Sequence, residues 1–326
     1  MEYNRNKQRR EWWQAHHEKL GLVPHYSMKR RKPSHDYSSP CIYMITIDTL
    51  ERRRVLGELN APGDTRPEPW LLPSELGHKV LSCWHEISSR YPQVKTMGVQ
   101  LMPDHLHGIL YATEKLPYHI GRVISGFKAG CNKASRQLIG GTLWEDGYQD
   151  TILRGKGQLK RMMHYLQDNP RRLWIKRQNP ELFSIKNDIT IGNRNVSVAG
   201  NVFLLEYPEK AVVQCSRSID TEEAIACEVE KYMSMAKGGV VLISAAISKA
   251  EKAVMRAAFE GGFKTIVILE NGFSQYWKPG GQQFDACAQG QLLLVAPWPH
   301  HNSYVRITRE QCLEMNAVAR QIAEMP

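Results

Sequence analysis

No run of about 18 apolar residues occurs anywhere in the chain, which excludes a helical membrane span. The seven cysteines (Cys41, Cys83, Cys131, Cys215, Cys227, Cys287 and Cys312) are odd in number and form no Cys-x-x-Cys pair. That scatter argues against a disulfide frame or a structural zinc site and fits reduced thiols in a cytoplasmic protein. The opening residues Met1-Glu2-Tyr3-Asn4-Arg5 lack the apolar core of a secretory signal, in line with the same expectation. What the chain does have is 326 residues, 42% of them hydrophobic, enough for two packed domains.

Charge is unevenly placed. Residues 1–185 hold 29 Lys and Arg against 18 Asp and Glu, whereas residues 186–326 hold 14 against 15. The net charge of +10 therefore belongs to the first part alone. A basic domain has the electrostatic footprint of a phosphate-backbone binder, although an ordinary solvated surface can carry the same excess. Residues 1–38 form a basic extension. It contains Arg9-Arg10 and Lys29-Arg30-Arg31-Lys32, interleaved with Trp12, Trp13, Tyr26 and His16-His17. Cations beside aromatics suit single-stranded nucleic acid, and a partly disordered tail is the other reading.

The apolar run from Met97 to Tyr111, broken at Pro103-Asp104, reads as two strands of a hairpin, near 93–102 and 105–111. His105 and His107 stand two apart on the second strand and so share a face. Two neutral imidazoles side by side suit a divalent ion, but His-x-His also arises by chance. Residues 158–169 carry Leu159, Met162, Met163 and Leu166 at helical spacing, and Pro170 places the expected end at Asn169. Tyr165 and Asn169, four apart, lie on one face of that helix. Taken alone, a tyrosine packed at a helix edge with an Asn cap is the simpler reading.

Met102-Pro103-Asp104-His105-Leu106-His107 resembles the histidine motif of the single-tyrosine HUH transposases. Tyr165-Leu166-Gln167-Asp168-Asn169-Pro170 is similar to the nucleophile segment of their REP-associated tyrosine transposase branch. Gly126-Phe127-Lys128 and Leu143-Trp144-Glu145-Asp146-Gly147-Tyr148-Gln149-Asp150 also look like family segments, in family order over residues 40–178. The resemblance implies a metal-dependent endonuclease and strand transferase acting on single-stranded or hairpin DNA through a 5′-phosphotyrosine. Tyr165 would be the nucleophile, and His105, His107 and Asn169 would hold Mg²⁺ or Mn²⁺. Gln167 and Asp168 stand behind Asn169 as third ligands, since they point away from the tyrosine's face. Lys128, Arg122 and Arg154 are expected DNA contacts. Asp150 falls where the family often has an acid and is read as structural or DNA-contacting, and His164 as a surface residue. The family implies a monomer or a homodimer. Its fold is a ferredoxin-like α+β sandwich, which the pattern matches with a strand at 41–47, a helix at 74–91, the hairpin, a helix at 117–138 and a strand at 143–153. A short turn starts at Glu51-Arg52-Arg53-Arg54, and residues 60–72 read as a Pro-rich connection.

A boundary is expected near residue 185, giving domains at 39–185 and 186–326. The second alternates strand and helix. Strands fall near 211–214, 239–244, 265–269 and 292–296, and helices near 221–236, 249–260, 282–288 and 309–324. Buried-type strands separated by helices argue for a parallel, Rossmann-like sheet. The order resembles DNA-processing protein A and its SLOG relatives. Ser216-Arg217 is similar to their first-loop Ser-Arg, and Met315-Asn316 falls near a later Arg-Asn. The Ser-Gly-Gly phosphate loop is replaced by Ser244-Ala245-Ala246-Ile247-Ser248. Pro279-Gly280-Gly281 is followed by Gln282-Gln283-Phe284-Asp285, without the Gly-Thr and Glu of the hydrolases, so nucleotide cleavage is not expected. Ser216, Arg217, Ser244 and Ser248 are the candidate anion-binding residues. Two other readings stay open: a non-catalytic DNA-binding descendant, and a nucleotide-binding sensor acting through the second domain.

Overall fold

The computed structural model describes residues 31–326 except residues 33, 64–65, 275–276 and 303–304. The extension up to residue 30, with its tryptophans and most of its basic pairs, lies outside the described residues. The chain divides into two compact units, residues 1–174 and 175–326, so the division falls earlier in the chain than residue 185. Both units are α/β. Among the described residues no helix is long and apolar enough to cross a membrane.

In the first unit, strand β1 (Cys41–Asp48) is followed by a two-stranded ribbon, β2 (Gly57–Asn60) with β3 (Trp70–Pro73). Helix α1 (Glu75–His85) starts at Ser74, whose hydroxyl accepts the Gly77 N–H, and the short helix α2 (Ile87–Arg90) extends it. Strands β4 (Val94–Met102) and β5 (His105–Ala112) make the expected hairpin. Helix α3 (Gly121–Leu138), strand β6 (Gln149–Leu153) and helix α4 (Gln158–Gln178) complete the unit. The sheet runs β4-β5-β1-β6 and every pairing is antiparallel. The stretch expected to be a plain connection over residues 60–72 begins and ends in strand instead, because Leu59 and Leu71 lie opposite each other across the ribbon.

Strand alternation gives the sheet two apolar faces. Tyr43, Ile45, Ile47, Leu106 and Leu110 pack beneath α1 and α3, which contribute Leu76, Val80, Trp84, Val123, Ile124 and Phe127. Met44, Ile109 and Leu153 face the other way, beneath α4, with Leu166 buried among them and Leu159, Met162 and Met163 alongside. Helix α4 does not stop at Asn169 as expected but continues through Pro170 to Gln178. An internal proline costs roughly 3 kcal/mol. On both sides of the proline the helix is seated, with Leu166 and Asn169 buried before it and Arg172 buried after it. The Asn169 side-chain amide also donates to the Tyr165 carbonyl at 2.7 Å, adding a donor in the turn where the proline removes one.

The second unit is built on one six-stranded sheet. Strands β7 (Ile185–Ile191) and β8 (Arg194–Gly200) form a hairpin, followed by β9 (Lys210–Val212), helix α5 (Glu222–Lys237), β10 (Val241–Ser244) and α6 (Lys249–Glu260). Strand β11 (Thr265–Ile268), α7 (Gly281–Ala288), β12 (Leu292–Ala296) and α8 (Arg309–Glu324) follow. The order is β7-β8-β12-β11-β10-β9, with β9 to β12 parallel and β8 antiparallel on β12. Leu242, Leu292 and Leu294 face α5, α6 and α7, and Ile243, Ile266, Leu293 and Val295 face α8. The β7–β8 hairpin is absent from the sequence reading. Its signal is the alternation of Ile189 and Ile191 with Val196 and Val198 about Gly192, whose φ of 59° suits glycine.

Gly108 of β5 carries the packing constraint nearest the histidines. A Cβ there would lie 2.2 Å from two ring carbons of the buried Trp84. Gly108→Ala should destabilise the protein by about 1–3 kcal/mol, the range for overpacking a filled core, measured by urea unfolding. A change near zero would mean that Trp84 moves without cost.

Candidate active site

The pleat of β5 puts His105 and His107 on the face covered by α4. In the register Thr46 of β1 and Gln100 of β4 lie opposite His107, while Asp48 and Met102 lie opposite His105. Each ring is held through Nδ1. Asp104 Oδ1 accepts from His105 Nδ1 at 2.6 Å, and Thr46 Oγ1 sits 2.7 Å from His107 Nδ1. The two Nε2 atoms face each other at 3.2 Å. A carboxylate can only accept, so the His105 Nδ1 carries a proton, and in the neutral ring the Nε2 lone pair faces His107. Two such lone pairs repel unless a proton or another cation lies between them.

His107 is 7% exposed. Burial pushes its pKa down to about 3, and the nearby charges of His105 and Arg52 add to this against the opposing Asp104. Burial pushes the Asp104 carboxyl up, but the His105 hydrogen bond and the charges of His105 and Arg52 outweigh it, leaving it below the usual carboxylate range. The ring of Tyr165 meets His107 edge-on, with centroids 5.7 Å apart, so α4 does bring the tyrosine to the histidine pair. Asn169 is buried one turn later. Its nitrogen is committed to the Tyr165 carbonyl, which leaves the amide oxygen outside that bond. Asp168 is held by Arg171 at 2.5 Å and lies 3.9 Å from Arg172, so it is engaged by cations. Gln167 and His164 are exposed. Among the described residues no group of three or more His, Cys, Asp or Glu side chains is placed to hold an ion.

The other expected contacts of this unit have internal partners. Lys128 donates to the carbonyls of Glu145 and Gly147, the latter at 2.8 Å, and burial lowers its pKa. Asp150 lies on the opposite face of the sheet from the histidines, where it pairs with Arg31 and accepts the Tyr37 hydroxyl at 3.0 Å. It is a buried tie for the segment before β1. Arg122 is exposed, with its guanidinium 5.5 Å from the Tyr118 ring centre. Arg154, also exposed, lies 2.6 Å from His35 Nδ1. Arg172 escaped the sequence reading. It is buried, with its guanidinium 5.8 Å from the Tyr165 ring centre. Its position seven residues after Tyr165, on the same helical face, is the signal that could have found it.

In the second unit, Ser244 and Ser248 are committed locally. Ser244 donates to the Val213 carbonyl at 3.0 Å and accepts the Ala246 N–H at 2.9 Å. Ser248 caps α6 in a reciprocal box with Glu251. The Glu251 carboxylate, 3% exposed, accepts the backbone N–H groups of Cys215, Ile247 and Ser248 at 3.1, 2.7 and 3.2 Å. The chain's own carboxylate thus takes up three backbone amides at the loop before α6. Ser216 and Arg217 are exposed on the loop after β9. Among the described residues no hydrogen bond or ion pair joins them to Ser244 or Ser248.

The His107 shift sets a pH dependence. In the unfolded chain the ring takes a proton near its ordinary value of 6.5, but in the folded protein only near 3. Its contribution is complete above about 6.5 and is lost as pH falls toward 3, because the unfolded state then binds more protons. Denaturant unfolding of the metal-free protein at stepped pH should show this decline, and it should be shallower in His107→Gln. Equal slopes would assign the decline to other groups.

No protein-family profile matches the chain. An uncharacterized protein of Haemophilus influenzae is 26% identical over 169 residues, covering 45% of this chain and 89% of its own length. A solved REP-associated tyrosine transposase bound to a REP hairpin is similar to 43% of this chain and 72% of its own, at 12% identity and a TM-score of 0.32. DNA processing protein A of Helicobacter pylori, described for its single-stranded DNA binding mode, matches 43% of this chain and 66% of its own at 16% identity and a TM-score of 0.32. The Streptococcus pneumoniae DNA processing protein A matches 76% and 71% at 15% identity, again with a TM-score of 0.32. Likenesses of this size decide nothing about activity.

Proposed function

We propose that the first unit is a single-tyrosine endonuclease and strand transferase of the HUH type, acting on single-stranded, hairpin-bearing DNA. The observation that carries this reading is the 3.2 Å approach of two Nε2 atoms, each ring anchored through Nδ1, with the Tyr165 ring against one of them. That spacing suits neighbouring ligands on one cation, whose bonds to imidazole nitrogen are about 2 Å. The Asn169 amide oxygen is the candidate third ligand, and mixed nitrogen and oxygen donors suit Mg²⁺ or Mn²⁺. When bound, the ion polarises the scissile phosphate and neutralises the charge that develops on it.

The chain's own residues do the rest. Asp104 and Thr46 keep the imidazoles aimed, as hydrogen-bond partners of ligand histidines do. Helix α4 carries the Tyr165 hydroxyl to the phosphate. A new bond forms from the phenolic oxygen to phosphorus while the bond to the 3′ oxygen breaks. The phenolic proton goes, through solvent, to the leaving 3′ oxygen. The products are a 5′-phosphotyrosine and a free 3′-hydroxyl, which can later reverse the step on the same or another strand. The strand–helix–strand–strand–helix–strand order, with β4-β5-β1-β6 side by side, supports a ferredoxin-like sandwich. Four parallel strands with helices on both faces support a Rossmann-like second unit. The loop Ser244-Ala245-Ala246-Ile247-Ser248, which lacks the glycines of a phosphate loop, counts against a nucleotide sensor there.

Incubation with labelled hairpin oligonucleotides and Mn²⁺ should give a denaturation-resistant protein–DNA adduct that chelation prevents. Tyr165→Phe should reduce the adduct below detection and keep DNA binding, and His105→Ala with His107→Ala should do the same. An adduct persisting in Tyr165→Phe would remove that residue from the role.

A further inference from the structure

Strained backbone lies immediately beside the histidine pair. Glu51 and Arg52, just after β1, both occupy the left-handed region, at φ 56° and 55°. Neither is glycine, and two consecutive residues of this kind persist only where their surroundings impose them. Three contacts do so here. Leu50 N–H donates to the Leu143 carbonyl at 2.7 Å, Glu51 N–H to Glu145 Oε1 at 2.8 Å, and Arg53 Nη2 to the Thr142 carbonyl at 2.5 Å. They clamp the turn onto residues 142–145.

The effect is to turn Arg52 back over the end of the sheet. Its Nη1 lies 3.0 Å from Asp48 Oδ1 and 3.8 Å from Asp104 Oδ1. The second of these is the oxygen that holds His105. Asp48 is also the residue opposite His105 in the sheet. Even so, 53% of the Arg52 side chain stays exposed. An exposed ion pair of this kind adds little to stability. What the clamped turn leaves at the edge of the site is a half-exposed guanidinium, whose planar fork matches phosphate oxygens.

We propose that Arg52 is a phosphate contact of the site, held by the clamped turn at the His105 edge to take a DNA backbone phosphate next to the one presented to Tyr165. This rests on the single-stranded DNA reading above. Asp48 and Asp104 set its direction, and Arg52 binds without taking part in bond making.

The test uses the full chain carrying Tyr165→Phe, which retains binding without cleavage, titrated with a fluorescent hairpin oligonucleotide across a range of salt concentrations. Adding Arg52→Gln should weaken binding about tenfold, the loss of one hydrogen-bonded charge. It should also lower the slope of log affinity against log salt by about 0.7, one phosphate on a single strand. Arg52→Gly removes the same cation but relieves the turn, so its thermal midpoint should hold or rise while binding falls. A purely structural arginine would lower the midpoint and leave the salt slope unchanged. Arg90→Gln, which removes an exposed arginine paired with Glu86 at α2, should move neither quantity. Binding by the parent with an unchanged slope and affinity in Arg52→Gln would overturn the assignment of Arg52 alone. Absence of DNA binding in the parent and in the wild type would instead remove the nuclease reading, and this assignment with it.

Discussion

Alternation along β5 is the constraint from which the first unit follows. One strand has to supply a packed core on one side and a polar pair on the other. Leu106 and Leu110 serve the first, His105 and His107 the second, and Gly108 sits between because the Trp84 ring fills the space a side chain would need. A slip of one residue would exchange the two faces. Strands on both sides prevent it, with Thr46 and Gln100 registered against His107. The polar contacts then build outward from that register. Thr46 reaches one ring because it lies directly across from it, and Asp104 reaches the other because the β4–β5 turn ends there.

Charge alone was a poor guide to the surface. Lys128 and Asp150 are the residue types one expects at a DNA interface, yet both act as internal ties. Lys128 gathers the carbonyls of residues 145 and 147, and Asp150 anchors Arg31 and Tyr37. The excess of basic residues in the first unit is real, but partners such as these decide which of them face a ligand.

The regular elements were largely legible in the sequence, for local reasons. Helices α6 and α8 begin at Ser248 and Thr308, whose capping boxes with Glu251 and Gln311 are written in four residues. Strands β10 and β12 are buried at every position; β12 reads as an unbroken apolar run and β10 as one up to Ser244. The approach of Tyr165 to His107 was legible from motif order and helical phase. What was not legible depended on distant partners. Helix α4 runs through Pro170 to Gln178 and buries Arg172 beyond it, which propensity does not encode. The carboxylate tie of the second unit required Glu251 to meet Cys215 across 36 positions in sequence. The turn at Glu51 and Arg52 contains no glycine and gives no local sign of its conformation.

The anchoring of both imidazoles through Nδ1 has a consequence for encounter rates and affinity. A flexible side chain loses roughly 0.5–1.5 kcal/mol of rotational freedom when a partner immobilises it. Here that loss has already occurred during folding, on rings held through Nδ1 by Thr46 and Asp104. Whatever engages the pair therefore meets a rigid receptor, and its free energy of association is not diminished by ordering the groups that receive it.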